Sequence, residues 1–145
     1  MKNKVLVVLL FLTCFAGFTQ KTITWLDLAD VSFEDKYFPD YDDYFLYPSF
    51  SDSVKALDGK MITITGYFLD IDPLGEIYIL SKGPMASCFF CGIGGPETAM
   101  ELHFTSKPSF KTDDIITVTG ILKINSDDVD HFNYILTESK GKLIN

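Results

Sequence analysis

The chain has 145 residues, of which 47% are hydrophobic, 14% aromatic and 22% charged, and its formal net charge is −8. All 12 basic residues are lysine, so the bidentate guanidinium clamps that hold phosphate and carboxylate are absent. Nucleic acid is excluded as a partner on the same ground, since its affinity comes from neutralising phosphates.

The first 21 residues read "MKNKVLVVLLFLTCFAGFTQK". Lys2 and Lys4 give a positive start, and an apolar run of 14 residues follows from Val5 to Phe18. A membrane span needs about 20 residues and a signal-peptide core roughly 7–15. Gly17 and Thr19 fit the −3 and −1 positions of a cleavage site. The expectation is a signal peptide over residues 1–19, a mature start at Gln20, and a periplasmic or secreted protein with no membrane span after cleavage. Lipid anchoring through Cys14 is the lesser alternative, because Cys14 sits inside the apolar run and Phe15 follows it. Without Lys2 and Lys4 the remaining 126 residues carry ten basic and twenty acidic side chains, a net charge of −10. That length supports one modest core.

Residues 20–58 form an aromatic, acidic segment with no clean period. Trp25, Leu26 and Leu28 read as a short piece that docks on the body. Tyr37, Phe38, Tyr41, Tyr44, Phe45, Tyr47 and Phe50 can cover a large apolar area. The segment is expected to be irregular and to lie as a lid over one end of a core, with a partner-binding surface as the sharper alternative. Asp40, Asp42 and Asp43 do not make a calcium loop, for want of a glycine at the required offset and of a distal glutamate.

From residue 59 to 145 the text becomes strand-like. "KMITITGYFL" alternates, with Ile62, Ile64, Gly66 and Phe68 on one face and Thr63, Thr65 and Tyr67 on the other. "EIYILS" follows. In "AMELHFT", Met100, Leu102 and Phe104 face inward and Glu101, His103 and Thr105 outward. "DDIITVTGILKI" turns Ile116, Val118, Gly120, Leu122 and Ile124 inward, and "NYILTES" is the fifth strand. Gly66 and Gly120 mark bends or bulges. Five short strands with mid-strand glycines predict a mainly β protein, a sharply coiled five-stranded barrel of the OB type, with a small β-sandwich as the alternative. "SKPSFKT" leaves no room for the helix usual between the third and fourth OB strands.

The distinctive stretch is "ASCFFCGIGGPE". Beyond the leader only Cys88 and Cys91 remain, and an even pair in an exported chain points to a disulfide or a metal site. Thiol catalysis of the thioredoxin kind needs a helix N-terminus at the first cysteine, which the glycines and Pro96 disfavour, so thiol redox activity stands only as a lesser alternative. "GIGG" is no nucleotide loop, because no lysine follows it. Cysteines three apart with glycine next can chelate through one tight turn, with Gly92 at positive φ. Zinc then wants two further ligands. His103 is the first candidate, Glu97 and Glu101 are the oxygen options, and His131 is the distant fourth. "HFNY" spaces His131 and Tyr134 one residue too close for a haem-binding His-x-x-x-Tyr motif, and no serine has an evident base.

"TWLDL", "LDGKMITITGYF", the cysteine loop, "IITVTGILKI" and "FNYILTES" together resemble a family of small exported bacterial proteins known only as domain of unknown function 3299. The resemblance spans roughly Trp25 to Ser139. It implies a periplasmic protein and, since some members are encoded beside zinc-uptake or export genes, metal handling. Many relatives carry one cysteine, then a histidine and prolines, in the loop, and Cys-Phe-Phe-Cys-Gly departs from that form. The functional expectation is an exported non-enzymatic binding protein, accessory to zinc handling through Cys88, Cys91, His103 and Glu101. The alternative is a partner-binding module whose Cys88–Cys91 pair is an inert disulfide.

Overall fold

The computed structural model describes residues 20–71 and 77–144. The leader and Cys14 lie outside the described residues. No described helix is long and apolar enough to cross a membrane.

The elements in chain order are β1 (Lys21–Thr22), α1 (Trp25–Leu28), β2 (Val31–Phe38), β3 (Asp43–Phe50), α2 (Asp52–Lys55), β4 (Met61–Leu69), β5 (Tyr78–Ser81), β6 (Ala99–Phe104), β7 (Ile115–Ile124) and β8 (Tyr134–Leu143). Strands β4, β5, β6, β8 and β7 pair in that order, and β7 pairs back onto β4 to close a five-stranded barrel, with β1 added in parallel on β4. The closure is that of an OB barrel rather than a sandwich. β6 and β8 run parallel and every other barrel pair is antiparallel.

Period-two patterning does what the sequence implies. Ile62, Ile64, Phe68, Met100, Leu102, Ile116, Val118, Leu122 and Leu136 are all buried in one core. On the outer face of β4 and β7, Thr63 meets Thr119 at 2.7 Å and Thr65 meets Thr117 at 2.9 Å, cross-strand hydroxyl pairs that hold the register.

The segment before the barrel packs as a lid on one end of the core, and it is not irregular. β2 and β3 form an antiparallel hairpin of eight residues on each side, turned at 39–42 with Asp42 at φ 51°. Alternation is missing from its sequence because aromatics sit on both faces. Tyr37 lies 5.3 Å from Tyr44 and Phe38 lies 5.7 Å from Phe45, ring to ring, and such cross-strand pairs take the place of a buried face. The base of the hairpin and the two short helices close the barrel, with Leu28, Phe50, Val54 and Leu57 buried in the same core as the strands. Leu26 does not dock, being 78% exposed, whereas Trp25 donates its indole N–H to the Thr65 carbonyl at 2.8 Å.

Tyr134 ties lid to barrel. Its fully buried hydroxyl donates to the Leu28 carbonyl at 2.6 Å, and burial pushes the phenol pKa well up. Tyr134→Phe leaves that carbonyl without its partner, and a loss of about 1–3 kcal/mol is expected in urea unfolding. An unchanged urea midpoint would show that the lid is held by packing alone.

Candidate functional site

A carboxylate on the outside of a barrel strand is ordinarily solvated. Glu101 is not, being only 1% exposed. Its side chain leaves the outer face of β6, and the 125–133 loop folds over it. Register explains the meeting. Glu101 lies opposite Ile135 in the β6–β8 pair, so the residues just before β8 arrive beside it. Asn125 shapes that loop, its amide donating to the carbonyls of Asp128 at 2.7 Å, Phe132 at 3.2 Å and His131 at 3.3 Å.

A buried carboxylate is costly unless it is paired. Here His103 Nε2 stands 2.6 Å from Glu101 Oε1, and His131 Nδ1 lies 3.0 Å from Oε1 and 3.1 Å from Oε2. The Phe132 N–H donates to Oε2 at 3.2 Å. Ligand atoms of Glu101, His103 and His131 all lie within 4.8 Å of one another. Burial raises the Glu101 carboxyl pKa, but the hydrogen bonds from His103, His131 and the Phe132 N–H outweigh it and leave the group below its ordinary value. The hydrogen bond to Glu101 and the charge of its carboxylate raise His131, against a smaller effect of burial, and Asp128 and Asp130 add to the rise. Both imidazoles are half in solvent above the carboxylate. His131 also lines a cleft of about 430 Å³ between the hairpin, the cysteine loop and the 126–133 loop.

The thiol loop is a separate feature. Cys88 is 2% exposed, buried with Leu69, Ile79 and Ala99, while Cys91 is exposed. Their sulfurs stand 4.0 Å apart as free thiols. A single 3-10 turn joins them, Phe89–Cys91, closed by Cys91 N–H donating to the Cys88 carbonyl at 3.0 Å and by Gly92 at φ 76°. The positive φ read from the sequence at Gly92 is therefore present. Both thiols point at the Met85 carbonyl, Cys88 at 3.2 Å and Cys91 at 2.9 Å. Desolvation, then the neighbouring Cys88 thiol, pushes Cys91 above the ordinary thiol pKa. That is the reverse of an activated nucleophile.

Of the residues read from the sequence as one zinc site, the fold brings Glu101 and His103 together and leaves Cys88 and Cys91 as their own pair. Among the described residues the only cluster of three or more His, Cys, Asp and Glu ligand atoms is Glu101, His103 and His131. Glu97 folds back over Gly95 instead. His131, ranked last from the sequence, is as close to the carboxylate as a ligand needs to be. Its signal was the fold itself: in an OB barrel the loop between the last two strands hangs over the outer face of the second and third.

No family model and no curated relative matches the chain. In three dimensions it is similar to the crystal structure of a DUF3299 family protein from Pseudomonas aeruginosa PAO1. The TM-score is 0.56 at 15% identity, over 88% of this chain and 97% of that one. The chain shares that protein's fold. At this identity the likeness speaks to architecture, and the barrel expected from the alternating strands is the one found. The Glu101–His103–His131 cluster occupies the face of that barrel, strands two and three with the overlying loop, which OB folds commonly use for ligands.

Proposed function

We propose that the chain is an exported, non-enzymatic binding protein that takes a divalent ion of the zinc type on Glu101, His103 and His131. One observation carries the reading: a buried carboxylate with two imidazole nitrogens converging on it from the solvent side. Two ligand atoms on one tetrahedral zinc stand about 3.3 Å apart, given bonds of about 2.0–2.1 Å. The present spacings of 2.6 and 3.0 Å need to open only slightly. Both imidazoles are half in solvent, so a fourth ligand would come from that side, which suits an ion that is taken up and handed on. The charged start and short apolar run at Val5–Phe18 support export.

Calorimetric titration of the mature protein with zinc chloride tests this. One equivalent is expected to bind, and His103→Ala and His131→Ala are each expected to weaken binding roughly tenfold to a hundredfold. N-terminal sequencing of the exported protein is expected to begin at Gln20. Wild-type zinc affinity in both histidine variants would remove this site from consideration. A second reading is favoured by the exposed Tyr37, Tyr41, Tyr44 and Leu46 of the hairpin, which suit a protein partner. A purely partner-binding module would give no zinc heat at all.

A further inference from the structure

The thiol pair has its own chemistry, distinct from that of the carboxylate and the imidazoles. Two sulfurs on one tetrahedral zinc would stand about 3.8 Å apart, given Zn–S bonds of about 2.3 Å, so the observed 4.0 Å is already a chelating separation. A structural zinc, however, wants four ligands. Among the described residues no third His, Cys, Asp or Glu joins the pair to make such a group. Around Cys88 the packing is soft and apolar. Cys88 is packed among Leu69, Ile79 and Ala99, with the Met85, Phe89 and Phe132 side chains against them. Met85 is fixed at this spot, its backbone N–H donating to Asp113 Oδ1 at 2.6 Å and its carbonyl meeting both thiols.

We infer that Cys88 and Cys91, with the Met85 thioether, form a second metal site that takes a soft monovalent ion, of which copper(I) is the biological representative. Thiolates and thioethers select copper(I), whereas imidazole and carboxylate suit zinc. The apolar surroundings disfavour the hydrated divalent ion and tolerate a compact, weakly hydrated one. Binding breaks both S–H bonds and forms two thiolate S–Cu bonds, and the Met85 thioether adds a third by donating a lone pair without losing a proton. Two protons leave to solvent and no electron changes hands. Affinity therefore rises with pH. The exposed Cys91 is the point of entry, and the buried Cys88 is the anchor.

The test is an anaerobic competition titration of reduced mature protein with copper(I) against bathocuproine disulfonate. One equivalent is expected to bind with two protons released. Cys91→Ser removes only an exposed sulfur, so the variant should fold, and its copper(I) affinity is expected to fall roughly a hundredfold or more. Met85→Leu keeps the volume and is expected to cost roughly tenfold. His103→Ala is expected to leave copper(I) binding unchanged while it weakens zinc, which separates this site from the zinc site. Wild-type copper(I) affinity in Cys91→Ser would overturn the inference. So would the absence of titratable thiols in protein isolated without reductant and protected from air, because the pair would then be a disulfide.

Discussion

Gly120→Val is expected to destabilise the protein by about 3 kcal/mol or more, a large share of the whole stability of a domain of this size. Gly120 faces inward on β7 between Val118 and Leu122. Its φ is not in the left-handed region, so backbone freedom is not the reason for glycine. Space is. A Cβ there would stand 2.6 Å from the Thr137 carbonyl oxygen and 2.9 Å from Leu136 Cγ. The carbonyl cannot retreat, because Thr137 is held opposite Ile121 at the irregularity where β8 shifts register against β7. Glu138, at φ 53°, makes that shift. Gly66 stands in a matching position on β4, where a Cβ would meet the Ser81 carbonyl oxygen at 2.6 Å. Both glycines let a neighbouring strand cross close over β4 or β7, which coils the barrel tightly enough to close on five strands. Gly59→Ala is the control. Nothing lies within 4 Å of its Cβ, but φ is 70°, so only about 1 kcal/mol of backbone strain is expected. Urea unfolding of the three proteins decides the matter. A Gly120→Val protein no less stable than Gly59→Ala would contradict a close crossing at Gly120.

The same glycines show why the barrel was legible in the sequence. β4 up to Phe68 and β7 keep one face in the core, so their text alternates, and "T-x-T-G" occurs in both where a neighbouring strand passes closely, whereas β5 buries Ile79 and Leu80 in succession. The hairpin was not legible, because Tyr37, Tyr44, Phe38 and Phe45 pair across strands on both faces and leave no polar side to read. The candidate site was half legible. Glu101 and His103 are two apart on one strand, so alternation alone places them on the same outer face. That Glu101 would be buried depends on the 125–133 loop, and its path is set by Asn125 and by the parallel β6–β8 register, which no local pattern announces. The thiol spacing was plain, but that the pair would not join Glu101, His103 and His131 in one cluster depends on how the cysteine loop and the 125–133 loop fold, which no local pattern announces.

Glu101→Gln is expected to lower zinc affinity by about two decades or more while the protein stays folded. Gln keeps the length and one acceptor oxygen of Glu101 and removes the negative charge on which the ion would sit. Exchanging a charge-assisted network for a neutral one is expected to cost about 1–3 kcal/mol of stability. The pH profile of metal-free protein, measured with chelator present, is the readout that ordinary loss of packing would not move. Glu101 has a folded pKa below its ordinary 4.5, so its contribution is present above pH 4.5 and is lost as pH falls through the folded value. His131 has a folded pKa above its ordinary 6.5, so its contribution is present below pH 6.5 and is lost as pH rises through the folded value. Asp128 and Asp130 also face His131 and hold its rise partly in place after the substitution. The wild type is therefore expected to gain most from this network between about pH 4.5 and 6.5, and Glu101→Gln to flatten that maximum. A variant that keeps both the maximum and full zinc affinity would show that Glu101 neither anchors the two histidines nor serves as a ligand.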